Sequence, residues 1–235
     1  MIIKAYFDKQ DVIIPISCQK ELNSFIYKTL GDNNKYHDSF SDYSISSIQG
    51  GKLFEKNKLK FNSLPYIIIT SLNNEFISDM INGLQNKKYD FFGMKFHKFE
   101  LSDFKPNKYF DIINTISPVI VKYNNRKISI DNENFISALK ENCIKKLKYK
   151  GIEDNTFDIE IRHKEKAKTK LIKVGSIFNI CTNISLYVHG TIESRITLYN
   201  MGLGGSTGSG FGTVKMYTWY INNIKICFLK YYLVI

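Results

Sequence analysis

Apolar residues recur along the first hundred residues at two spacings, one typical of helices and the other of strands. Over residues 18–30 they lie three or four residues apart, which predicts an amphipathic helix with Ser17 as its N-cap. The same spacing predicts a second helix that begins at a capping Asn74. Strands are expected at residues 2–7, 43–54, 64–71 and 92–96. The resulting β-α-β-β-α-β order is typical of a ferredoxin-like unit.

The second half of the chain repeats this order. A strand over residues 118–123 turns at Asn124-Asn125 into residues 126–130, and a long helix follows with Asp131 as its N-cap and Gly151 at its end. The remaining expected elements are strands near 157–161, 171–180 and 184–189, a short helix over 193–200 and a strand over 213–220. We therefore expect an α+β fold of tandem ferredoxin-like domains, residues 1–105 and 116–235, joined by a linker at 103–115.

The charge of the chain indicates a polyanionic partner. Its 235 residues include 33 Lys and Arg against 22 Asp and Glu, which gives a formal net charge of +11. Arginine occurs only at Arg126, Arg162 and Arg195, so nearly all of this positive charge is lysine. Lysine provides point charges for phosphates, whereas arginine is better suited to bidentate recognition of bases.

Cysteine usage and hydropathy indicate a cytoplasmic protein. The four cysteines are scattered at Cys18, Cys143, Cys181 and Cys227, which is typical of a reducing compartment and argues against a zinc site or a disulfide framework. No two histidines have metal-ligand spacing, and we expect neither a metal nor another cofactor. The first residues lack a signal-peptide core, and no apolar run approaches the roughly 20 residues of a membrane span.

A glycine-rich segment near the C-terminus is the clearest candidate for ligand binding. Six glycines lie between Gly202 and Gly212. Such a density is typical of a loop that adopts unusual dihedral angles or approaches a ligand closely, and its N–H groups could bind a phosphate. A P-loop is excluded because Thr213 and Val214 stand where Lys and Ser or Thr would be required. A Rossmann fingerprint is excluded because only 23 residues follow Gly212. A phosphate of a polymer backbone is the better candidate ligand.

Two further residues are candidates for chemistry. His37 lies in a polar stretch between a predicted helix and a predicted strand, where a histidine near its ordinary pKa is suited to proton transfer. Tyr27 points away from the apolar stripe of the first helix. The alternatives are a solvated histidine and a tyrosine that packs against a neighbouring loop.

A lysine-rich segment is the candidate for electrostatic binding. In an extended ribbon, alternate lysines would share one face at a spacing of about 6.5–7 Å, close to the phosphate repeat of a nucleic-acid strand. The alternative is a solvated hairpin tip. The lysines concerned are Lys164, Lys166, Lys168 and Lys170.

Taken in order, several segments resemble the CRISPR-associated endoribonucleases that cut precursor CRISPR transcripts, within the repeat-associated mysterious protein superfamily. The most specific is the glycine-rich segment 202–214, which includes Gly-Phe-Gly at residues 210–212. The others are Ser24-Phe-Ile-Tyr27, Tyr36-His37 followed by Tyr43-Ser-Ile-Ser46, Ser117-Pro118-Val-Ile-Val121 and Phe135-Ile-Ser-Ala-Leu139.

The resemblance implies tandem ferredoxin-like domains and metal-independent cleavage of CRISPR repeat RNA. In that reaction the 2′-hydroxyl attacks the adjacent phosphate, which leaves a 2′,3′-cyclic phosphate and a 5′-hydroxyl. His37 and Tyr27 match the histidine and tyrosine of the family. A lysine completes the set, with Lys52 as the first candidate and Lys35 as the second. The glycines expected to bind RNA are Gly202, Gly204, Gly205, Gly208, Gly210 and Gly212.

Three classes of function remain open. The first is the endoribonuclease. The second is a catalytically inactive guide-RNA-binding subunit of a CRISPR interference complex, which would keep the glycine-rich loop but would have no need of His37 and Tyr27. The third is a general single-strand RNA-binding protein, which would give no cyclic-phosphate products. Whether the protein forms a homodimer or associates with such a complex is also left open.

Overall fold

The first domain contains a four-stranded antiparallel sheet whose strand order is that of a ferredoxin-like unit. A computed structural model describes residues 1–9, 11–31, 34–36, 40–86, 89–103 and 111–216. The sheet has the order β3-β6-β1-β8, extended by the short strand β7, and every pairing is antiparallel. The elements are β1 (Ile2–Phe7), β2 (Val12–Pro15), α1 (Gln19–Leu30), β3 (Tyr43–Ile45), β4 (Lys52–Phe54), β5 (Lys58–Phe61), β6 (Tyr66–Ser71), α2 (Asn74–Asn86), β7 (Asp90–Phe91) and β8 (Met94–Ser102).

Burial alternates with period two along β1, so one face of the strand contributes to the core of this domain. Ile3, Ala5 and Phe7 are buried, while the residues between them are half-buried. The buried stripe of α1 includes Leu22 and Phe25, and the Phe7 and Phe25 rings lie 5.4 Å apart. The predicted helix at 18–30 is therefore confirmed, apart from its first residue.

The predicted helix caps of this domain are wrong. Cys18, rather than Ser17, occupies the N-cap position of α1 and makes no side-chain cap hydrogen bond. At α2 the capping side chain is Asn73, whose Oδ1 accepts hydrogen bonds from the N–H groups of Glu75 and Phe76 at 3.0 and 3.2 Å. Asn73 and Asn74 both have the residue type expected of an N-cap. The residue at which the helix begins determines which of the two caps it.

The single strand predicted at 43–54 is also wrong, because the chain turns away from the main sheet after an isolated bridge between Gln49 and Tyr66. Gly50 has φ +92°, and Gly51 lies so close to the Phe61 ring that a Cβ would stand 2.7 Å from it. Beyond this turn, β4 joins β5 and β2 in a separate three-stranded sheet.

The second domain repeats the same strand order, β12-β15-β9-β16, again antiparallel. Its elements are β9 (Ile112–Thr115), β10 (Val121–Tyr123), β11 (Arg126–Ile128), α3 (Phe135–Tyr149), β12 (Asp158–Arg162), β13 (Lys168–Val174), β14 (Ile177–Asn183), β15 (Ser185–His189), α4 (Ile192–Met201) and β16 (Val214–Met216). The tandem ferredoxin-like fold expected from the sequence is thereby confirmed.

The first strand of this second sheet lies where the sequence predicts a linker. Ile112 and Ile113 of β9 are buried at the centre of the sheet, so the sheet reaches back before residue 116. The sequence predicts the first strand of this sheet at the apolar run 118–123 instead of at β9. Its residues Val119 and Ile120 are buried but form only isolated bridges, to Thr182 and Gly205.

Two of the three turn and cap predictions for this domain are confirmed, and one is wrong. Asn124 and Asn125 both have positive φ and connect β10 to β11, as predicted. Gly151 ends α3 as predicted, since its N–H donates to the Lys148 carbonyl and the next N–H to that of Leu147. Asp131 is not the cap of α3, because Asn134 occupies that position.

The predicted strand at 171–180 is instead the hairpin β13–β14, which turns at Gly175. The helix predicted at 193–200 is confirmed as α4, and the strand predicted at 213–220 is confirmed over Val214–Met216. Residues 217–220 of that strand lie outside the described residues. Within the described ranges, no helix has the length and apolar character needed to cross a membrane.

Polar contacts join the two domains beside α4. The Thr70 hydroxyl donates to the Asn200 carbonyl at 2.9 Å, and the Ser44 hydroxyl donates to Thr213 Oγ1 at 3.2 Å. All of these residues are buried. The end of α4, and the glycine-rich segment that follows it, are therefore fixed against the first domain.

Candidate active site

Helix α1 places Tyr27 in a cavity on the surface of the first domain. The tyrosine is half-buried and lies off the apolar stripe, as the helical spacing predicts. The cavity has a volume of about 430 Å³, and its other lining residues are Lys20, Asn23, Ser24, Lys28, Gly31 and Asn34. Tyr27 therefore lies among amide, hydroxyl and ammonium groups, an environment suited to a phosphate and its sugar.

Tyr43 connects this tyrosine to the glycine-rich segment. Burial raises the pKa of Tyr43 to about 12, and the nearby Tyr27 contributes to the shift. The Tyr43 ring also lies against Gly208, where a Cβ would stand 2.8 Å from it. The Tyr43 carbonyl accepts a hydrogen bond from the Thr207 hydroxyl at 3.1 Å. Tyr27 and the glycine-rich segment, predicted separately, are thus neighbours in space.

His37 lies outside the described residues, but the turn that precedes it is well defined. Asn34 donates through its side-chain amide to the Gly31 carbonyl at 2.6 Å and accepts from the Tyr36 N–H at 3.2 Å. The Tyr36 hydroxyl donates to Asp79 Oδ2 at 2.7 Å. Burial and this carboxylate raise the pKa of Tyr36 above its usual value. Asn34 and Tyr36, which precede His37 in the sequence, are therefore held against Gly31 and Asp79.

The two lysine candidates lie in different places. Lys52 is exposed on β4, opposite Lys60, in the separate three-stranded sheet. Lys35 lines a second cavity of about 490 Å³, which shares Asn34 with the Tyr27 cavity. Its ammonium forms an ion pair with Glu75. Lys35 therefore lines a cavity that adjoins the Tyr27 cavity, whereas Lys52 lies on a separate sheet.

Sequence reasoning missed two lysines of the Tyr27 cavity, Lys20 and Lys28. A signal was present, because Lys20, Ser24 and Tyr27 stand at positions i, i+4 and i+7 of α1 and so share a helix face. The lysines of a solvated helix face look the same in the sequence, and only the cavity distinguishes them.

Four glycines of the glycine-rich segment are required by the fold itself. Gly202, Gly204, Gly210 and Gly212 are buried and have φ between 65° and 84°. A Cβ on Gly204 would meet the Ile120 carbonyl oxygen, and one on Gly212 would meet that of Leu203. The segment therefore packs tightly against its own domain.

The expected row of available N–H groups is only partly present. The N–H groups of Gly202, Gly205 and Gly212 donate to the carbonyls of Leu198, Ile120 and Pro118. Gly205 and Gly208 are half-buried without positive φ, and they remain the glycines where a ligand could approach. A Cβ on Gly205 would have its nearest neighbour at 3.9 Å.

The lysine ribbon is not extended throughout, so that prediction is wrong. His163 has φ +56°, and Lys164 and Lys166 lie in a single 3-10 turn. Only Lys168 and Lys170 belong to strand β13, where both are exposed. Lysine side chains alternate in a strand but not in a 3-10 turn, and the sequence pattern does not separate the two.

Strand β13 brings Lys168 and Lys170 close to the glycine-rich segment. Lys170 pairs with Cys181 of β14, and Cys181 packs with Ile120 and Phe211 in a small apolar cluster. Phe211 is the aromatic residue of the Gly-Phe-Gly sequence. The strand that pairs with β13 therefore packs against the Gly-Phe-Gly sequence.

Comparison with known proteins agrees with the resemblance seen in the sequence. The model of the family CRISPR associated protein Cas6, C-terminal, matches residues 104–216. The CRISPR-associated endoribonuclease Cas6 1 of Methanocaldococcus jannaschii is 26% identical over 222 residues, which cover 86% of this chain and 87% of that protein.

Solved structures share the fold over nearly the whole chain. A CRISPR associated protein Cas6 matches with a TM-score of 0.77 and 22% identity, covering 93% of this chain and 99% of that one. The product of a Cas6-related gene from Pyrococcus furiosus matches with a TM-score of 0.78 and 22% identity, covering 92% and 98%. A RAMP protein that binds different RNA substrates matches with a TM-score of 0.79 and 21% identity, covering 93% and 100%. Family model, sequence relative and fold agree: the chain is similar to CRISPR-associated Cas6 proteins, and the C-terminal model of that family covers its second domain.

Proposed function

We propose that this protein is a metal-independent endoribonuclease that cuts CRISPR repeat RNA within precursor transcripts. Its relationship to Cas6 endoribonucleases supports binding and processing of CRISPR RNA. The observation that carries the finer proposal is the position of Tyr27 in a cavity with Lys20 and Lys28, on the helix that precedes His37 in the sequence.

The reaction needs no group beyond those of the protein and the RNA. The 2′-oxygen forms a bond to the adjacent phosphorus, and the bond from phosphorus to the 5′-oxygen breaks. A base accepts the proton of the 2′-hydroxyl, and an acid protonates the leaving 5′-oxygen. His37 and Tyr27 take these two roles. The products are a 2′,3′-cyclic phosphate and a 5′-hydroxyl.

A cation must offset the charge that develops on the phosphorus oxygens. Among the two lysines suggested by the sequence, we assign this role to Lys35, since Lys35 adjoins the Tyr27 cavity and Lys52 lies on another sheet. Lys20 and Lys28, which line the cavity itself, add to the positive potential at the phosphate.

The glycine-rich segment, with Lys168 and Lys170, binds the RNA strand as it leaves this cavity. Gly205 allows close approach of the backbone, and the lysines neutralise phosphates. The partner is therefore repeat RNA. A homodimer, or association with an interference complex, is compatible with this arrangement and is not required by it.

The test is cleavage of the cognate repeat RNA in the presence of a chelator. We expect one cut in EDTA, with a cyclic phosphate on the upstream product, and no cut when the 2′-hydroxyl at that position is replaced by hydrogen. A strict requirement for Mg²⁺ would refute the mechanism. Tight binding without any cut would identify the guide-RNA-binding subunit instead.

A further inference from the structure

Lys146 of α3 is a buried cation that holds the start of the glycine-rich segment. Only 3% of the residue is exposed, although the sequence suggests an ordinary solvent-facing lysine between Lys145 and Lys148. Its Nζ donates hydrogen bonds to the carbonyls of Met201 and Gly202, at 3.1 and 2.9 Å. These two carbonyls end α4 and begin the glycine-rich segment. A cation at a helix C-terminus is favoured by the helix dipole.

The burial of this ammonium is costly, which indicates a specific role. Burial lowers the pKa of Lys146 to about 8, and the thiol of Cys143, one turn earlier, opposes the shift. No carboxylate among the described residues forms an ion pair with Lys146. An apolar side chain of similar volume would commonly give equal stability at such a position. What an apolar side chain would lack is the pair of donors that fixes the two carbonyls.

One turn later, the same helix holds the chain that follows His37. Lys150 Nζ lies 2.9 Å from Asp42 Oδ2, and these side chains are only 24% and 11% exposed. The neighbouring Tyr149 ring lies 4.6 Å from the Phe40 ring, centroid to centroid. Phe40 and Asp42 stand three and five residues after His37. Both contacts cross from the second domain to the first.

We infer that the last turn of α3 with its C-cap, residues 146–150, is a positioning element that aligns the glycine-rich segment with residues 40–42, which follow His37 in the chain. Lys146 fixes the glycine-rich segment in its RNA-binding position, and Lys150 fixes Asp42. Neither lysine is a catalytic residue. This inference rests on the proposed function, since it assigns RNA binding to the glycine-rich segment and proton transfer to His37.

The positioning role of Lys150 is tested by exchanging the charges of Lys150 and Asp42. We expect Lys150→Glu to lower the single-turnover rate constant at saturating protein by about 10- to 100-fold, because misplacing a catalytic group by about 1 Å has effects of this size. The double variant Asp42→Lys with Lys150→Glu restores the ion pair and should return the rate to within about threefold of wild type. Lys148→Glu, an exposed change of equal charge on the same turn, is the control.

The positioning role of Lys146 is tested by removing its positive charge. We expect Lys146→Met to weaken binding of the repeat RNA by about 3- to 30-fold, while the rate at saturation stays near wild type. Lys145→Met removes an exposed charge from the adjacent position and should change affinity much less. If Lys146→Met fails to fold in a melting experiment, Lys146→Gln, which removes the cation but keeps an N–H donor, is compared with Lys145→Gln instead.

The assignments of Lys150 and Lys146 can each be contradicted without contradicting the proposed function. The Lys150 assignment would be overturned if Lys150→Glu and Lys148→Glu had the same rate constant. It would also be overturned if the double variant with Asp42→Lys did not restore the rate. Equal RNA affinity of the Lys146 and Lys145 variants would overturn the Lys146 assignment. A wild-type protein that binds repeat RNA without cutting it would refute the proposed nuclease, yet its affinity would still report on Lys146.

Discussion

The two ferredoxin-like domains share one order of elements but carry their functional segments at different connections. In the first domain, the candidate chemical groups lie on α1 and in the connection between α1 and β3. In the second, the glycine-rich segment occupies the connection between α4 and β16. Under the proposed function, the first segment provides side chains that transfer protons, whereas the second provides a backbone surface for RNA. Substitutions in the first segment should therefore affect the cleavage rate, and substitutions in the second should affect RNA affinity.

The largest expected effect is on the rate, from the first domain. We expect His37→Ala to lower the single-turnover rate constant by about 10²–10⁴-fold with little change in RNA affinity, because proton transfer contributes only in the transition state. Tyr27→Phe, which removes only the hydroxyl, should lower the same rate constant. His97→Ala is a suitable control because His97 is exposed on β8. A rate for His37→Ala within threefold of wild type would make His37 an ordinary solvated histidine.

The second prediction separates two kinds of glycine in the second domain. Gly212→Ala requires a strained φ and places a Cβ against the Leu203 carbonyl, so we expect a loss of about 1–3 kcal/mol or more in the free energy of unfolding. Gly205→Ala has room and no positive φ, and it should leave the melting temperature unchanged while weakening RNA binding. Unchanged affinity for Gly205→Ala would leave the segment as a structural connector.

Gly208 is a less clean probe than the sequence suggests. Without a structure, Gly205 and Gly208 look equivalent because both lie in the middle of the segment. In the structure, a Cβ on Gly208 would stand 2.8 Å from the Tyr43 ring. Gly208→Ala should therefore disturb Tyr43 and lower the melting temperature, whether or not RNA is present.

The smallest expected effect concerns the lysines. If Lys168 and Lys170 each contact a phosphate of single-stranded RNA, alanine at both should reduce the slope of log K against log salt by about 1.4, at 0.7 per lost contact. Lys164 and Lys166 lie in the 3-10 turn, so alanine at both should change the slope less. Thr169→Ala, between the two strand lysines, serves as the neutral control. Equal slopes for both lysine pairs would show that strand geometry does not select the binding lysines.

Local patterns in the sequence were sufficient for several features of both domains. Helical spacing predicted α1 and the outward position of Tyr27, since the direction of a side chain follows from its place on the helix. Asn124, Asn125 and Gly151 mark turns because the positive φ they adopt is costly for most other residues. The order of elements, with the Gly-Phe-Gly sequence, was enough to indicate the family.

Other features were decided only by tertiary contacts. The sequence gives no sign that Lys146 is buried while Lys145 and Lys148 are exposed, because burial depends on which element covers that side of α3. The same holds for Lys35 and Lys52, which differ only in the sheet or cavity they join. Residues near in sequence share a local conformation, but their partners come from distant parts of the chain. Sequence patterns therefore determined the elements and the candidate groups, and packing between the domains determined which of those groups meet.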